Sequence, residues 1–501
     1  MTFDLTPRAP QRLPFWPDIL LDLRDALPDG PEPIYIVGGA VRDALLQRPI
    51  HDLDLAVPRD AMKLARWIAD HFNGDVYVLD AERDVGRALV ETPQGRMVFD
   101  VARLRGEALL DDLLDRDFTI NAMAVSLKDD LDQVIDPLGG EADIMAKLLR
   151  RCAPGALAND PLRALRAVRQ SVQFGLRIEP QTLADVRNSA AELKRISSER
   201  LRDELFKTLA LPRPVAALRV LDALGLLPTL IPETVALHDL PQSPPHIYDA
   251  WTHTLAVVEH LAGIAATIQY TRTDNTAASF AYGMTAIQLD RYRSQLVSHL
   301  EQQWPDERAH KALLMLAALL HDAGKPAAAA DGRFIGHETI GAKLAGTRAH
   351  ALRLSSDETH RLKTIVANHM RLITLEAAPS RRAVSRFWRQ LGAAGIDVCL
   401  LTLADHLGTY GSEFQQDDWL MLIERVLSLL EVYFERHAEM VEPPTLIDGG
   451  ELIRMFNLKP GRLIGQLLEL IRDAQVDGEV QTADDAVRLV REHLDKRGAG
   501  E

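Results

Sequence analysis

Two aspartates, Asp52 and Asp54, stand two residues apart in the run DLDLAV, directly after a predicted strand, a Gly-Gly turn and a short helix. Along a β-strand, residues i and i+2 point to the same face, so we expect both carboxylates to face one site while Leu53 and Leu55 face a core. Two carboxylates held this close repel each other unless a cation lies between them. Because hard oxygen ligands favour Mg²⁺, the spacing predicts a magnesium-binding pair.

The turn before this strand has the features of a phosphate-binding loop. Gly38 and Gly39 would let the backbone approach a ligand closely, and the N-terminus of the helix predicted to begin at Ala40 attracts phosphate. A metal beside such a turn indicates phosphoryl or nucleotidyl transfer. In the simpler alternative, DLD is a surface turn and the glycines only connect a strand to a helix.

The composition indicates a large and mainly helical protein. The chain has 501 residues, enough for three or four domains, and combines 47% apolar residues with only 5% aromatic ones. Two cysteines are too few for a disulfide framework or a cysteine zinc site. The sequence shows no signal-like start and no apolar run long enough to cross a bilayer, so we expect a cytoplasmic protein with no membrane partner.

Strand-like runs are confined to the first third of the chain, which predicts an α+β head followed by all-helical domains. A polar loop or insertion is expected at 271–283. The predicted parts are a lead-in (1–30), the head (31–149), a neck (150–237), a histidine-rich domain (238–435) and a helical tail (436–501).

The neck is basic although the whole chain is acidic. The formal charge of −15 by itself argues against a nucleic-acid partner. Between Lys147 and Arg213, however, 14 Lys or Arg stand against 7 Asp or Glu, a local charge of +7. A helical, arginine-rich segment next to a nucleotide site is where a polyanion would lie. The alternative is a solvated helix surface with ordinary salt bridges.

Four motifs follow one another along the chain: GGAVRD with DLDL, DRDFTINAMAV (Asp115–Val125), NDPLRALRAVRQ (Asn159–Gln170) and ISSERLRDELFKTL (Ile196–Leu209). They resemble the metal motif, the ribose-selecting motif, the protein template helix and the neck segment of the class II tRNA nucleotidyltransferases. This family contains the CCA-adding enzymes and their poly(A) polymerase relatives in the polymerase-beta-like superfamily. The resemblance covers nearly the whole chain. It implies a mixed sheet in the head, Mg²⁺ as cofactor, CTP and ATP as substrates and tRNA as partner.

The resemblance also assigns roles to individual residues. Asp52, Asp54 and Asp100 would be catalytic carboxylates; the alternative for Asp100 is that it caps a strand or pairs with Arg103. Asp117 resembles the residue that contacts a sugar hydroxyl, with Arg116 close to the triphosphate; alternatively, both only tie a strand to the core of the head. The implied nucleotide-binding residues are Gly38, Gly39, Arg42, Arg116, Asp117, Asn121, Asp160, Arg163, Arg166 and Arg169.

The template motif offers a way to select bases without a nucleic-acid template. Asp160 and Arg163 are three residues apart, so we expect them on one helical face. Aspartate can accept from the amino group of cytosine or adenine while the arginine fork donates to neighbouring acceptors. Uracil and guanine would set a carbonyl oxygen against the carboxylate, and each good bidentate contact discriminates by about 1–3 kcal/mol. The alternative is an i,i+3 surface salt bridge that contributes about 0.2–0.5 kcal/mol.

Two departures from the family pattern bear on the product. Asn159 stands where the template motif has Glu, and Asp115 replaces the first arginine of the ribose motif. The connection Gly106–Leu114 is shorter than the flexible loop of CCA-adding relatives, which is thought to help the switch from C to A. Its shortness resembles the CC-adding branch. We therefore expect CMP addition and leave terminal A addition open.

A second group of residues resembles the H…HD…D pattern of the HD phosphohydrolase superfamily. Imidazoles and carboxylates brought together by helices suit a divalent transition metal, and the number of histidines is what a two-metal site would need. Lys325 follows in an HDxGK arrangement and would hold a phosphate. The domain would either hydrolyse phosphoesters or serve only as a structural body. The candidate ligands are His253, His321, Asp322, His337, His369 and Asp405.

Taken together, these patterns predict a metal-dependent nucleotidyltransferase that adds CMP to the 3′ end of tRNA, with addition of a final AMP left open. A poly(A) polymerase would share most of the head motifs. An HD-type phosphohydrolase as the main activity would leave the Asp52–Asp54 pair silent. A non-catalytic tRNA-binding protein would need both metal sites to be dead.

Overall fold

The structure is a computed structural model that describes residues 3–28, 32–270, 279–330, 333–376 and 379–498. The chain divides into two compact units, the first formed by 1–204 with 216–230 and the second by 205–215 with 231–501. The boundaries predicted inside each unit stay predictions. The first eight residues of the expected polar loop at 271–283 lie outside the described part of the chain, and a helix begins at Phe280.

The head combines a sheet with short helices. Its elements are α1 (Asp18–Ala26), β1 (Tyr35–Val37), α2 (Gly39–Leu45), β2 (Asp52–Val57), α3 (Ala61–His71), β3 (Asp75–Asp80), β4 (Val85–Thr92), β5 (Gly95–Arg103), α4 (Leu109–Leu114), β6 (Ala124–Ser126), α5 (Gly140–Met145) and β7 (Leu148–Leu149). The segment predicted as a lead-in contributes α1, and its Trp16, Leu20 and Leu23 belong to the core of the head. They do so because α1 places apolar side chains on one face.

Six strands form a mixed sheet in the order β3-β4-β5-β2-β1-β6. Strands β2 and β5 run parallel, and the other neighbouring pairs run antiparallel. Leu53 and Leu55 of β2 are buried, as their alternation with the two aspartates predicts. The α+β head with a mixed sheet is therefore confirmed.

The neck is helical, with one two-residue strand. Its elements are α6 (Ala156–Asn159), α7 (Leu162–Phe174), β8 (Arg177–Ile178), α8 (Pro180–Asn188), α9 (Ser198–Leu209), α10 (Pro214–Ala223) and α11 (Leu227–Leu230). The predicted continuous template helix is broken: Asp160 has φ −138° and ψ 92°. The cause is Pro161, because a proline sterically disfavours the α conformation in the residue before it. Gly175, with φ +65°, ends α7 in the left-handed conformation.

The second unit is almost wholly helical. Its elements are α12 (Ala250–Ile268), α13 (Phe280–Gln288), α14 (Arg293–Leu300), β9 (Gln303–Trp304), β10 (Arg308–Ala309), α15 (His310–Leu320), α16 (Lys325–Ala328), α17 (His337–Ala351), α18 (Ser356–Asn368), α19 (Arg371–Thr374), α20 (Arg381–Leu391), α21 (Ala394–Tyr410), α22 (Gln416–Glu435), α23 (Gly449–Phe456), α24 (Arg462–Asp477) and α25 (Ala483–Gly498).

Helices α12, α15, α17, α18 and α21 pack together, and α15 is buried on all sides. Helices α23–α25 enclose a small core of their own. In the described segments, no single helix is long and apolar enough to cross a membrane. One pair, Arg381–Leu391 with Ala394–Glu413, passes that test on length and composition alone and is bent by 107°.

Candidate functional site

The head brings its three predicted catalytic carboxylates together on β2 and β5, the two central strands of the sheet. Asp54 of β2 lies directly opposite Asp100 of β5 in the parallel ladder, and Asp52 begins the same strand. Burial raises the pKa of Asp54 to about 6, with Asp100 and Asp52 adding to the rise and Arg116 and Arg166 opposing it. Charge repulsion of this kind is what a bound cation would relieve.

The glycine turn meets this carboxylate directly. Gly38 has φ +76°, a conformation that L side chains rarely adopt. A Cβ atom on Gly38 would lie 2.7 Å from Nη1 of Arg116 and 2.8 Å from Oδ2 of Asp54. The helix begins at Gly39, one residue earlier than predicted, and has only seven residues. The structure thus places Gly38, Asp54 and Arg116 together.

Asp100 has a different partner from the one considered above. Arg87, its cross-strand neighbour on β4, donates from Nε and Nη2 to the two carboxylate oxygens at 2.7 and 2.8 Å. The pairing with Arg103 is wrong, because residues three apart on a strand point to opposite faces of the sheet. Asp100 is therefore a carboxylate neighbour of Asp54 that is itself held by an arginine.

Four residues with predicted nucleotide contacts form one network of hydrogen bonds and ion pairs in the first unit. Arg42 is buried, donates to Oδ1 of Asn121 and pairs with Asp43 at 2.7 Å. Asn121 donates to Oδ1 of Asp117 at 2.9 Å. Nε of Arg166 lies 2.9 Å from Oδ2 of Asp117. The network ties the ribose motif to α2 and α7, and the predicted sugar contact of Asp117 stays a prediction.

The groups around Asp117 favour its ionised form. Burial opposes ionisation, but the Arg166 charge and the hydrogen bonds from Asn121 and the Phe118 N–H lower the pKa of Asp117. Arg116 donates to Oδ2 of Asp112 from Nε at 3.0 Å and from Nη2 at 2.8 Å. Arg116 therefore lies between the buried Asp112 and the carboxylate of Asp54.

The template pair does not share a helical face. Asp160 lies before α7, and its Oδ2 accepts a hydrogen bond of 2.7 Å from Nη2 of Arg200. Arg163 turns its guanidinium to three backbone carbonyls, those of Asp115, Arg116 and Ala156. Both the shared face and the i,i+3 salt bridge are therefore wrong for this structure. The broken helix before Pro161 separates the two side chains.

Arg169 also has partners in the neck. It pairs with Glu204 of α9 and donates to Gln173 at 2.8 Å. Its predicted nucleotide contact stays a prediction.

The short connection Gly106–Leu114 is an ordered turn and helix. The carboxylate of Asp111 accepts from the backbone N–H groups of Glu107 and Ala108, both at 3.0 Å. Asp112 in the same helix is buried. Asp115, one of the two departures from the family pattern, pairs with Arg105 at 3.1 Å.

All six predicted residues of the histidine-rich domain converge, and Asp322 lies at their centre. Its Oδ2 lies 3.1 Å from Nε2 of His321 and 3.4 Å from Nε2 of His253. Its Oδ1 lies 3.2 Å from Nε2 of His337 and 3.8 Å from Nε2 of His369. Oδ1 of Asp405 completes the first group at 3.1 Å from Nε2 of His253. The six side chains are buried and form two ligand groups that share one carboxylate.

The tautomers of these histidines favour a cation between them. Nδ1 of His337 and Nδ1 of His369 each lie 2.8 Å from a backbone carbonyl oxygen, so both Nδ1 atoms carry the proton. In the neutral rings both Nε2 atoms then present lone pairs, yet they lie only 3.1 Å apart. Burial lowers the pKa of His369 to about 4. Burial also acts to lower the pKa of His337, but the hydrogen bond and charge of Asp322 outweigh it and raise that pKa, so a proton on His337 is the alternative to a cation. The donor set therefore fits a bound metal.

Three further residues contact this group of histidines and aspartates, or each other beside it, and the sequence analysis considered only Lys325 among them. Nζ of Lys325 lies 2.6 Å from Oδ2 of Asp322 and donates to Gln242. The ring of His246 contacts that of His253, with centroids 5.0 Å apart. Gln242 and His246 belong to the proline-rich loop before α12 and lie outside the spacing of the HD pattern, so only the fold reveals them.

A further buried cluster was not predicted. Nε2 of His299 and Nε2 of His310 lie 2.8 and 2.9 Å from the same oxygen of Asp397, and Arg361 donates to the other oxygen at 2.6 Å. These are hydrogen-bond distances, and an arginine already neutralises the carboxylate. The cluster thus joins α14, α15, α18 and α21 as a structural network. Its members are spread over 99 positions, and no local pattern links them.

Comparison with known proteins agrees with this geometry. Three family models match segments of this chain. They describe a Poly A polymerase head domain at residues 34–150, a probable RNA and SrmB-binding site of polymerase A at 175–237 and an HD domain at 250–409. The A-adding tRNA nucleotidyltransferase of Deinococcus radiodurans is 32% identical over 482 residues, covering 93% of this chain and 97% of the relative. The chain belongs to the tRNA nucleotidyltransferase family.

A second relative of this family, the CC-adding tRNA nucleotidyltransferase of Geobacter sulfurreducens, is 31% identical over 458 residues, 91% of each chain. A solved CCA-adding enzyme in complex with CTP has the same fold, with a TM-score of 0.57, 21% identity and 96% of each chain covered. The predicted nucleotidyltransferase class and the HD domain are confirmed, and poly(A) polymerase is not favoured. The two tRNA nucleotidyltransferase relatives differ in the nucleotide that their names specify.

Proposed function

We propose that this enzyme transfers CMP from CTP to the 3′ end of tRNA. The observation that carries the proposal is the meeting of Asp54, Asp100, Gly38 and Arg116 at the two central strands of the head sheet. In the reaction, the primer's 3′ oxygen bonds to the α-phosphorus, the bond from the α-phosphorus to the β-phosphate oxygen breaks, and pyrophosphate leaves.

The carboxylates of Asp52 and Asp54 would hold Mg²⁺, with Asp100 beside them. The pKa of Asp54, raised by burial and further by the charges of Asp100 and Asp52, supports this assignment. Bound Mg²⁺ neutralises charge on the triphosphate and favours ionisation of the primer hydroxyl. Arg116 would contact the triphosphate, while Gly38 leaves room for it. Asp117, kept ionised by Arg166, would accept from a ribose hydroxyl.

The neck would supply base selection and RNA binding. Asp160 is an acceptor suited to the amino group of cytosine or adenine. Arg163 would have to leave its backbone carbonyls before it could donate to a base. The basic neck segment would bind the tRNA backbone.

The product is the open part of this proposal. The ordered connection Gly106–Leu114, held by Asp111 and Asp112, supports CC addition without a switch to A. An A-adding relative of similar identity marks the competing outcome. The test offers tRNAs that end before the first C, after one C and after CC, each with single labelled nucleotides. We expect CTP incorporation on the first two and little ATP incorporation on the third; efficient A addition would discard the CC-only product.

Asp54→Ala tests the site itself. The transferase proposal requires loss of CMP incorporation with tRNA binding retained. Full CMP incorporation by this variant would overturn it.

We also propose a second, metal-dependent activity for the HD domain. It is supported by Asp322, whose two oxygens face two separate ligand groups as a two-metal hydrolytic site requires. A divalent transition metal suits the imidazole ligands. The substrate class would be a phosphoester, with Lys325 next to the carboxylate as the phosphate contact. The test measures hydrolysis of phosphomonoesters and cyclic phosphodiesters with added Ni²⁺, Co²⁺ or Mn²⁺, and the activity must vanish in Asp322→Ala.

A further inference from the structure

The base-reading carboxylate is held by a residue outside the template motif. Asp160 lies in extended backbone between α6 and α7, so helix geometry does not fix its side chain. Its Oδ1 accepts a long hydrogen bond of 3.3 Å from the Leu162 N–H. Its Oδ2 accepts the shorter bond of 2.7 Å from Arg200. A charge-assisted bond of this length is the stronger of the two restraints.

Arg200 is itself fixed relative to α7. It lies on α9 one helical turn before Glu204, and residues four apart share a helical face. Glu204 is buried and pairs with Arg169 in the middle of α7. Helix α9 therefore contacts the template segment at two points, through Arg169 and through Asp160.

We propose that Arg200 is a positioning residue for base selection, which rests on the transferase function proposed above. It holds Asp160 by Oδ2 so that the remaining lone pairs of the carboxylate stay in a fixed direction. A carboxylate held in a fixed direction accepts a hydrogen bond from an amino group and repels a carbonyl oxygen. A freely rotating carboxylate can turn away from the carbonyl oxygen of uracil. Arg163, with its fork on the carbonyls of Asp115, Arg116 and Ala156, does not provide this restraint.

The test compares CTP with UTP on a tRNA that lacks its terminal CC. We expect Arg200→Ala to raise the KM for CTP, to change kcat less, and to lower the CTP:UTP ratio of kcat/KM by about tenfold. Arg200→Lys keeps a donor and a charge and should recover part of the ratio. Asp160→Ala removes the carboxylate that Arg200 holds and should lower the ratio as well. The double variant should lower it no further, because Arg200 acts on the base only through Asp160.

The control is Arg195→Ala, which removes an exposed neck arginine that pairs with Glu192. It should keep the wild-type CTP:UTP ratio even if its affinity for tRNA falls. Arg200 is half exposed, so its variants are expected to fold, and Arg200→Lys serves if the alanine variant does not. Equal losses with CTP and UTP in the Arg200 variants would overturn the inference. Absence of CMP incorporation in the wild-type enzyme would instead overturn the proposed function.

Discussion

Gly38 lies against the carboxylate of Asp54: a Cβ atom on the glycine would lie 2.8 Å from Oδ2 of the aspartate and 2.7 Å from Nη1 of Arg116. The turn therefore accepts no side chain without moving the charges of the site. This contact links the backbone of the glycine turn to the carboxylate pair that the sequence pattern identified.

Gly38→Ala is expected to abolish most CMP incorporation and to lower stability by about 1–3 kcal/mol. An L-residue is disfavoured at φ +76° and ψ −138°, and the clash with Asp54 and Arg116 displaces both groups. The measurement is kcat/KM for CTP, followed beside the melting temperature. Gly139→Ala is the matched control, because Gly139 has φ +75° and no atom within 4 Å of its added Cβ. Equal losses of activity in the two variants would contradict a role for the contact.

Asp54→Asn is expected to stabilise the metal-free protein at neutral pH. The pKa of Asp54 is raised to about 6 from 3.8, so folding disfavours its ionised form, and the destabilisation grows as the pH rises from about 4 to 6. Asparagine removes this term, on the order of 1–3 kcal/mol above pH 6. Thermal denaturation in EDTA at pH 7.5 and at pH 4 measures it, and the difference should shrink at the lower pH.

Added Mg²⁺ should reverse that order, because the wild-type carboxylates gain a ligand that the variant binds less well. Asp70→Asn changes an exposed aspartate of α3 and should show neither effect. If Asp54→Asn is no more stable than the wild type in EDTA, the ionised carboxylate of Asp54 does not destabilise the metal-free protein.

Metal content distinguishes the two ligand groups of the HD domain. His337→Ala removes a ligand of one group and should lower the bound transition metal by about half, whereas Asp322→Ala should remove nearly all of it. Elemental analysis of the purified protein gives the stoichiometry, and CMP incorporation should persist in both variants. His350→Ala, an exposed histidine of α17, is the control. Full metal content in Asp322→Ala would show that the two ligand groups do not depend on the carboxylate of Asp322.

Asp397→Asn is expected to destabilise the second unit by about 3–5 kcal/mol, since it leaves the buried partners His299, His310 and Arg361 without their carboxylate. The pKa of Asp397 lies well below its ordinary value of 3.8 because these positive partners outweigh the effect of burial. Its contribution is therefore present above pH 4 and is lost as the pH falls further.

Chemical denaturation at pH 7 measures the change at Asp397, and the exposed Asp417→Asn is the control. A loss no larger than that of the control would show that the cluster does not hold the helices together.

Local patterns predicted the parts of this molecule that depend on local geometry. The alternation of Leu53 and Leu55 with the two aspartates placed β2 in the sheet with its carboxylates on one face. The order of the HD histidines identified candidate ligands that the fold brings together over 153 positions, from His253 to Asp405. Both predictions rest on motifs whose chemistry requires the spacing.

Predictions failed where a side chain pairs with a residue that is distant in sequence and not with the nearby residue that the pattern suggested. Helical spacing paired Asp160 with Arg163, but Pro161 breaks the helix, and Arg200, 40 positions away, is the actual partner. Asp100 pairs across the sheet with Arg87 instead of along its own strand. The cluster around Asp397 has no local signature, because its residues meet only through helix packing.

The three hydrogen bonds of Arg163 have a mechanical consequence. Through the carbonyls of Asp115 and Arg116 they fasten α7 to the start of the ribose motif, and through the carbonyl of Ala156 they fasten it to α6. Under the proposed function, the residues that contact the sugar and the base are thereby joined through the side chain of one arginine. Release of that side chain would let the distance between the sugar contact and the base contact change.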